Sequence, residues 1–103
     1  MKPIRLILTD CDGVLTDGSV YYGDNHVITR RFNTLDGYAT VIAKNLGINI
    51  VIITAQDEYN GHSIHQRALD LDIGVIFTRD KGKVVKQYLE ATDFEKSETM
   101  FIG

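Results

Sequence analysis

The stretch Arg5-Leu6-Ile7-Leu8-Thr9-Asp10-Cys11-Asp12-Gly13 decides how this 103-residue chain is read. An apolar run without polar alternation is what a strand buried on both faces requires. It ends in two carboxylates and a glycine, a residue that lets the backbone turn sharply. Three later runs, residues 49–54, 74–78 and 99–102, are likewise rich in Ile, Val and Leu. Helical patterns separate them. Tyr38, Val41, Ile42 and Leu46 share one stripe closed by Gly47, a fitting C-terminal cap; Ile64, Ala68 and Leu71 make a second, weaker stripe; Val84, Val85, Tyr88 and Leu89 make a third. Four strands thus alternate with three helices, which predicts right-handed crossovers and a parallel sheet.

One segment breaks the alternation. Residues 19–22 and 27–32 read as strands around Gly23-Asp24-Asn25-His26, a turn-rich tetrapeptide, so a β-hairpin is inserted at about 18–33. Val20, Tyr21, Tyr22, Val27, Ile28 and Phe32 are too apolar for both faces of a solvated hairpin, and a lone hairpin is marginal in water, so a cover is expected.

The length fits a single domain, residues 1–103, because one core serves ~100 to 150 residues. The composition, 44% hydrophobic and 24% charged, is that of a folded chain. A net charge of −3 argues against bulk attraction to nucleic acid or an anionic membrane. One cysteine forms no internal disulfide, and Met1-Lys2-Pro3-Ile4-Arg5 leads into too short an apolar run for a signal peptide or membrane span. A cytoplasmic setting is the expectation.

Ligands of open parallel sheets bind at the carboxyl ends of strands. Asp10 and Asp12, at i and i+2, reach one site if the chain turns between them, and their repulsion calls for a cation or a shared proton. Mg2+, a hard ion that prefers oxygen ligands and bridges phosphate, answers that need. Thr54 ends the second long strand, where its hydroxyl and the following amides, beginning with Ala55, suit phosphate oxygens. A lysine is wanted to neutralise phosphoryl charge; Lys81 and Lys83 both open the third helix. Alternation points Cys11 away from both acids and into the core. His62 and His65 have the i, i+3 spacing of helix-borne metal ligands, yet no third ligand is near in sequence and a surface helix is the better reading.

The run Asp10-Cys11-Asp12-Gly13-Val14-Leu15-Thr16-Asp17-Gly18 resembles the first motif of the haloacid dehalogenase-like phosphatases. Together with Phe32-Asn33-Thr34-Leu35-Asp36-Gly37 and Ile52-Ile53-Thr54, it resembles their capless branch, the 3-deoxy-manno-octulosonate 8-phosphate and nonulosonate 9-phosphate phosphatases. The resemblance covers essentially the whole chain. It implies an α/β fold, a Rossmann-like parallel sheet with flanking helices and the hairpin insertion. It implies Asp10 as nucleophile, Asp12 as general acid/base, both at the Mg2+, with Thr54 at the phosphate. It favours Lys83 over Lys81, because the family's lysine directly precedes the apolar helix stripe. Asn33, Asp36, Gly37, Ala55 and Arg67 fall where the resemblance implies substrate contacts, although Asn33 and Asp36 equally suit the cap and first turn of a helix. It further implies a homotetramer assembled through the hairpins, and an acidic keto-sugar phosphate as substrate.

Two other readings remain at this point. A phospho-signalling receiver also combines clustered acids, a strand-end Thr and a Lys, but needs an acceptor Asp that no strand here supplies. A catalytically silent assembly member is the other, because the family's fourth motif places a metal-binding acid just after a strand ending apolar-apolar-Gly. Phe101-Ile102-Gly103 matches that ending, and the expectation is a chain truncated one residue before the acid.

Overall fold

The structure, a computed structural model, describes residues 3–103; Met1 and Lys2, with which the chain's start was read, lie outside them. Its framework is a four-stranded parallel sheet made of β1 (Leu6–Thr9), β4 (Asn49–Thr54), β5 (Gly74–Phe77) and β6 (Thr99–Ile102). The spatial order is β5-β4-β1-β6, with Thr9 beside Ile52 on one side and Ile102 on the other. Helices α1 (Thr34–Asn45), α2 (His62–Leu71) and α3 (Lys81–Ala91) make the crossovers. The predicted α/β fold and its four strands are therefore observed.

Two apolar clusters, one on each side of the sheet, account for the unalternating strands. Leu6, Leu8, Val51 and Ile53 are buried against Val85, Tyr88 and Leu89 of α3. Cys11 and Ile52 are buried with Ile64 and Ala68 of α2. Neighbouring positions of one strand thus enter opposite cores, as the two-residue period requires. The second and third helical stripes face the sheet as their spacing predicts.

The first stripe does not. Leu35, Tyr38, Val41, Ile42 and Leu46 are all more than half exposed, and α1 instead buries Thr40 and Ala43. Small residues let the helix lie close to the sheet, and the Thr40 hydroxyl satisfies itself by donating to the Asp36 carbonyl at 2.8 Å. The cap at Gly47 is as predicted, with φ at +77°.

The hairpin is present but shorter in its pairing than the sequence suggests. Its strands are β2 (Tyr21–Tyr22) and β3 (Ile28–Thr29), antiparallel, joined through a 3-10 turn at Asp24–His26. A bridge between Thr16 and Phe32 closes its base. Val20, Tyr21, Tyr22 and Val27 remain exposed.

Candidate active site

β1 delivers Asp10 to the carboxyl end of the sheet, between its two neighbours. The Asp10 amide donates to the Ile102 carbonyl at 2.8 Å, extending the ladder by one residue. The chain then coils tightly, because the amides of Val14, Leu15 and Thr16 all donate to the Cys11 carbonyl, at 3.1, 2.8 and 3.2 Å. Gly13 takes φ +83° in this turn. A Cβ there would meet no atom within 4 Å, so backbone conformation rather than space demands glycine. The Thr16 hydroxyl pins the coil by accepting the amides of Gly13 and Gly18, at 3.2 and 3.1 Å.

The coil separates the three side chains as alternation predicts. Cys11 is wholly buried, and burial, reinforced by the charge of Asp12, pushes its thiol up to about 12. It is an inert core residue. Asp10 and Asp12 stay partly exposed on the other side. Each carboxylate has its own cation. Asp10 Oδ1 accepts the Cys11 amide at 2.9 Å and meets Lys81 Nζ at 3.2 Å, while its Oδ2 has no partner among the described residues. Asp12 Oδ1 accepts Arg30 Nε–H at 2.8 Å, and Oδ2 accepts Nη2–H at 3.4 Å.

Of the two lysines that open α3, Lys81 reaches Asp10, while Lys83, which the resemblance favours, makes no contact with either acid. The cap explains why. Asp80 is the N-cap of α3, its carboxylate accepting the Lys83 amide at 3.2 Å, so Lys81 is the first helical residue and Lys83 lies a half-turn on, exposed. Arg30 was missed altogether. Its guanidinium, 1% exposed, also donates through Nη1 to the Asn60 carbonyl and to Ser63 Oγ, both at 2.8 Å. No local pattern marks it, since its acid lies 18 residues away and meets it only after the hairpin folds back.

Thr54 ends β4 beside the acids. It is 2% exposed, and its hydroxyl accepts the Gln56 amide at 3.2 Å, keeping its own proton to donate. Ala55 follows it, exposed. A hollow of about 180 Å³ opens at Asp10, walled by Lys81, Val85, Phe101 and Ile102. A larger one, about 550 Å³, runs beside the same coil along Thr16, Asp17, Arg31, Asn33 and Asp36. It gathers two of the predicted substrate contacts.

Asn33, Arg67 and Gly37 have structural neighbours. Asn33 is the N-cap of α1, its Oδ1 accepting the Leu35 amide at 2.9 Å. Arg67 donates to the Asn33 carbonyl at 3.2 Å and lies over the Phe32 ring, 5.6 Å from its centroid. Gly37 lies at the same junction, where a Cβ would stand at ordinary contact distance, 3.6 Å from Arg67 Nη2 and 3.5 Å from Leu71. Arg67, Asn33 and Gly37 thus come together where α2 meets the start of α1.

Among the described residues no group of three or more His, Cys, Asp and Glu converges on a metal position. The donors at hand are the oxygens of Asp10 and Asp12. An all-oxygen set with few protein ligands suits Mg2+, which keeps several waters and binds phosphate directly, and does not suit a closed zinc site.

No protein-family model matches the chain. Curated relatives do. The 3-deoxy-D-manno-octulosonate 8-phosphate phosphatase KdsC of Escherichia coli (strain K12) is 33% identical over 82 residues, which are 80% of this chain and 42% of that protein. The crystal structure of the 3-deoxy-D-manno-octulosonate 8-phosphate phosphatase of Moraxella catarrhalis, in complex with magnesium, phosphate and KDO, superposes with a TM-score of 0.87 at 29% identity. It covers 97% of this chain and 57% of that one. The corresponding enzyme from Yersinia pestis gives a TM-score of 0.85 at 29% identity, over 97% of this chain and 54% of that one. The chain therefore spans less than half the length of the curated relatives it matches.

Proposed function

We propose, since the chain belongs to the haloacid dehalogenase-like superfamily on its 3-deoxy-octulosonate 8-phosphate phosphatase-like branch, that it carries the reaction centre of a sugar-phosphate phosphatase. The observation that carries this reading is the pair of carboxylates on one coil at the strand ends, each matched to its own cation. Asp10 Oδ2, the oxygen without a partner among the described residues, attacks phosphorus. The P–O bond to the sugar breaks, the departing oxygen takes a proton from Asp12, and an aspartyl phosphate forms on Asp10. Asp12, now a carboxylate, takes a proton from a water that attacks phosphorus, which breaks the acyl-phosphate bond and returns Asp10 with inorganic phosphate.

Lys81 sets a positive charge where the phosphoryl oxygens gather, and Thr54 with the Ala55 amide offers them hydrogen bonds. Asp10 and Asp12 would hold Mg2+, which supplies charge neutralisation at the phosphoryl group. The substrate class is the 8-phosphate of a 3-deoxy-octulosonate, which the relatives' names give, or a similar acidic keto-sugar phosphate, and Asn33, Asp36, Gly37 and Arg67 are its proposed contacts. Such a metabolite and a reduced thiol both fit the cytoplasm. The test is phosphate release from 3-deoxy-D-manno-octulosonate 8-phosphate with Mg2+ present. Turnover that a chelator abolishes is expected; absence of turnover with Mg2+ saturating overturns the reading.

The same proposal includes a homotetramer joined through the hairpin. The support is physical: Tyr21, Tyr22 and Val27 of the two-stranded arm are half-exposed or more. Sedimentation should show an oligomer that Tyr22→Lys shifts towards the monomer. A wild-type chain that sediments as a monomer at micromolar concentration excludes it.

A further inference from the structure

We propose that Arg30 is a positioning residue, holding the Asp12 carboxylate in one orientation and tying it to the start of α2. The inference rests on the reading of Asp12 as the acid/base, and goes beyond it by adding a residue that touches neither substrate nor metal.

Three observations support it. The guanidinium is almost wholly buried, and a buried charge costs several kcal/mol unless its donors are met and a counter-charge is near. Its donors are met from two separate directions. Nε and Nη2 face Asp12, and Nη1 faces the Asn60 carbonyl and Ser63 Oγ, both at 2.8 Å. The second set fixes the plane of the guanidinium, and a planar fork then fixes the plane of the carboxylate it grips.

The grip is also uneven. Oδ1 is held at 2.8 Å, while Oδ2 is at 3.4 Å. One oxygen is anchored and the other is left available for proton transfer in a set direction. Asp12 sits on a coil whose own hydrogen bonds fix the backbone but not this side chain, so the guanidinium is what sets the carboxylate's orientation.

Transfer of a proton to the leaving group tolerates little misplacement, about 100-fold in rate for an error of about 1 Å. The loss should therefore depend on the leaving group. An alkoxide leaves only with a proton, whereas p-nitrophenolate leaves without one. In Arg30→Gln, kcat for a primary alkyl phosphate such as a hexose 6-phosphate should fall about 100-fold. For p-nitrophenyl phosphate it should fall less than about 5-fold, with KM changed under about 3-fold for both. Arg30→Lys, keeping the charge but not the fork, should recover only part of the loss. Ser63→Ala, which releases one side of the guanidinium and disturbs the fold least, should show the same leaving-group dependence at about 5-fold.

Equal losses on the two substrates, or a loss confined to KM, overturn the proposal. A wild-type chain with no turnover on either phosphate removes the proposed function but leaves this inference open to NMR. The Arg30 Nε–H signal should exchange slowly in the full chain and lose that protection in Asp12→Ala. Exchange as fast as that of an exposed arginine overturns it whatever the activity.

Discussion

Asp10→Asn is expected to lower phosphate release by about 10³-fold or more while leaving the chain folded. The amide keeps the size of the carboxylate, and its Oδ1 still accepts the Cys11 amide now received at 2.9 Å. The ion pair with Lys81 is lost, but both side chains are more than a third exposed, 41% and 34%. Such half-exposed pairs contribute at most about 1 kcal/mol, so the melting temperature should move by only a few degrees. What disappears is the proposed nucleophile. An amide oxygen does not form a stable phosphoryl ester, and the first displacement has no acceptor. Parallel measurements of turnover and thermal unfolding check this. Activity within tenfold of wild type in the folded variant would show that phosphorus is attacked by some other group.

The features legible in the sequence are those that local rules determine. Runs without alternation gave four strands buried on both sides, and the register placed Cys11 in the core while Asp10 and Asp12 faced outwards. Gly13 was readable as a turn because its positive φ is a local demand. The stripe on α1 misled for a tertiary reason: close approach to the sheet selects small residues, here Thr40 and Ala43, so the bulky face is left outside. Arg30 was illegible because burial and pairing with Asp12 arise only when the hairpin folds back onto the coil and onto α2. Asn33 shows the opposite limit. Its sequence position allowed either a cap or a substrate contact, and the structure makes it a cap whose flank also lines the larger hollow.

The two lysines of α3 carry the other large effect, and here geometry and sequence resemblance part. A cation in the first turn of a helix is opposed by the helix dipole, by about 0.3 to 1 kcal/mol. Lys81 offsets this through the Asp10 carboxylate, 3.2 Å away. Lys83 has no such contact with either acid; its amide serves the Asp80 cap and its side chain is exposed. Lys81→Met should therefore cost about 10² to 10³ in kcat, by analogy with the loss of one oxyanion-stabilising donor. Its stability should hold or rise slightly, because the residue leaves an unfavourable position. Lys83→Met should stay within about threefold of wild type in kcat. Measured side by side with melting curves, the pair separates the alternatives. A large loss at Lys83 with Lys81 silent would overturn the assignment to Lys81: with α3 held in place by Val85, Tyr88 and Leu89, the Lys83 side chain would have to swing to the phosphate. The ion pair with Asp10 would then belong to the resting chain alone.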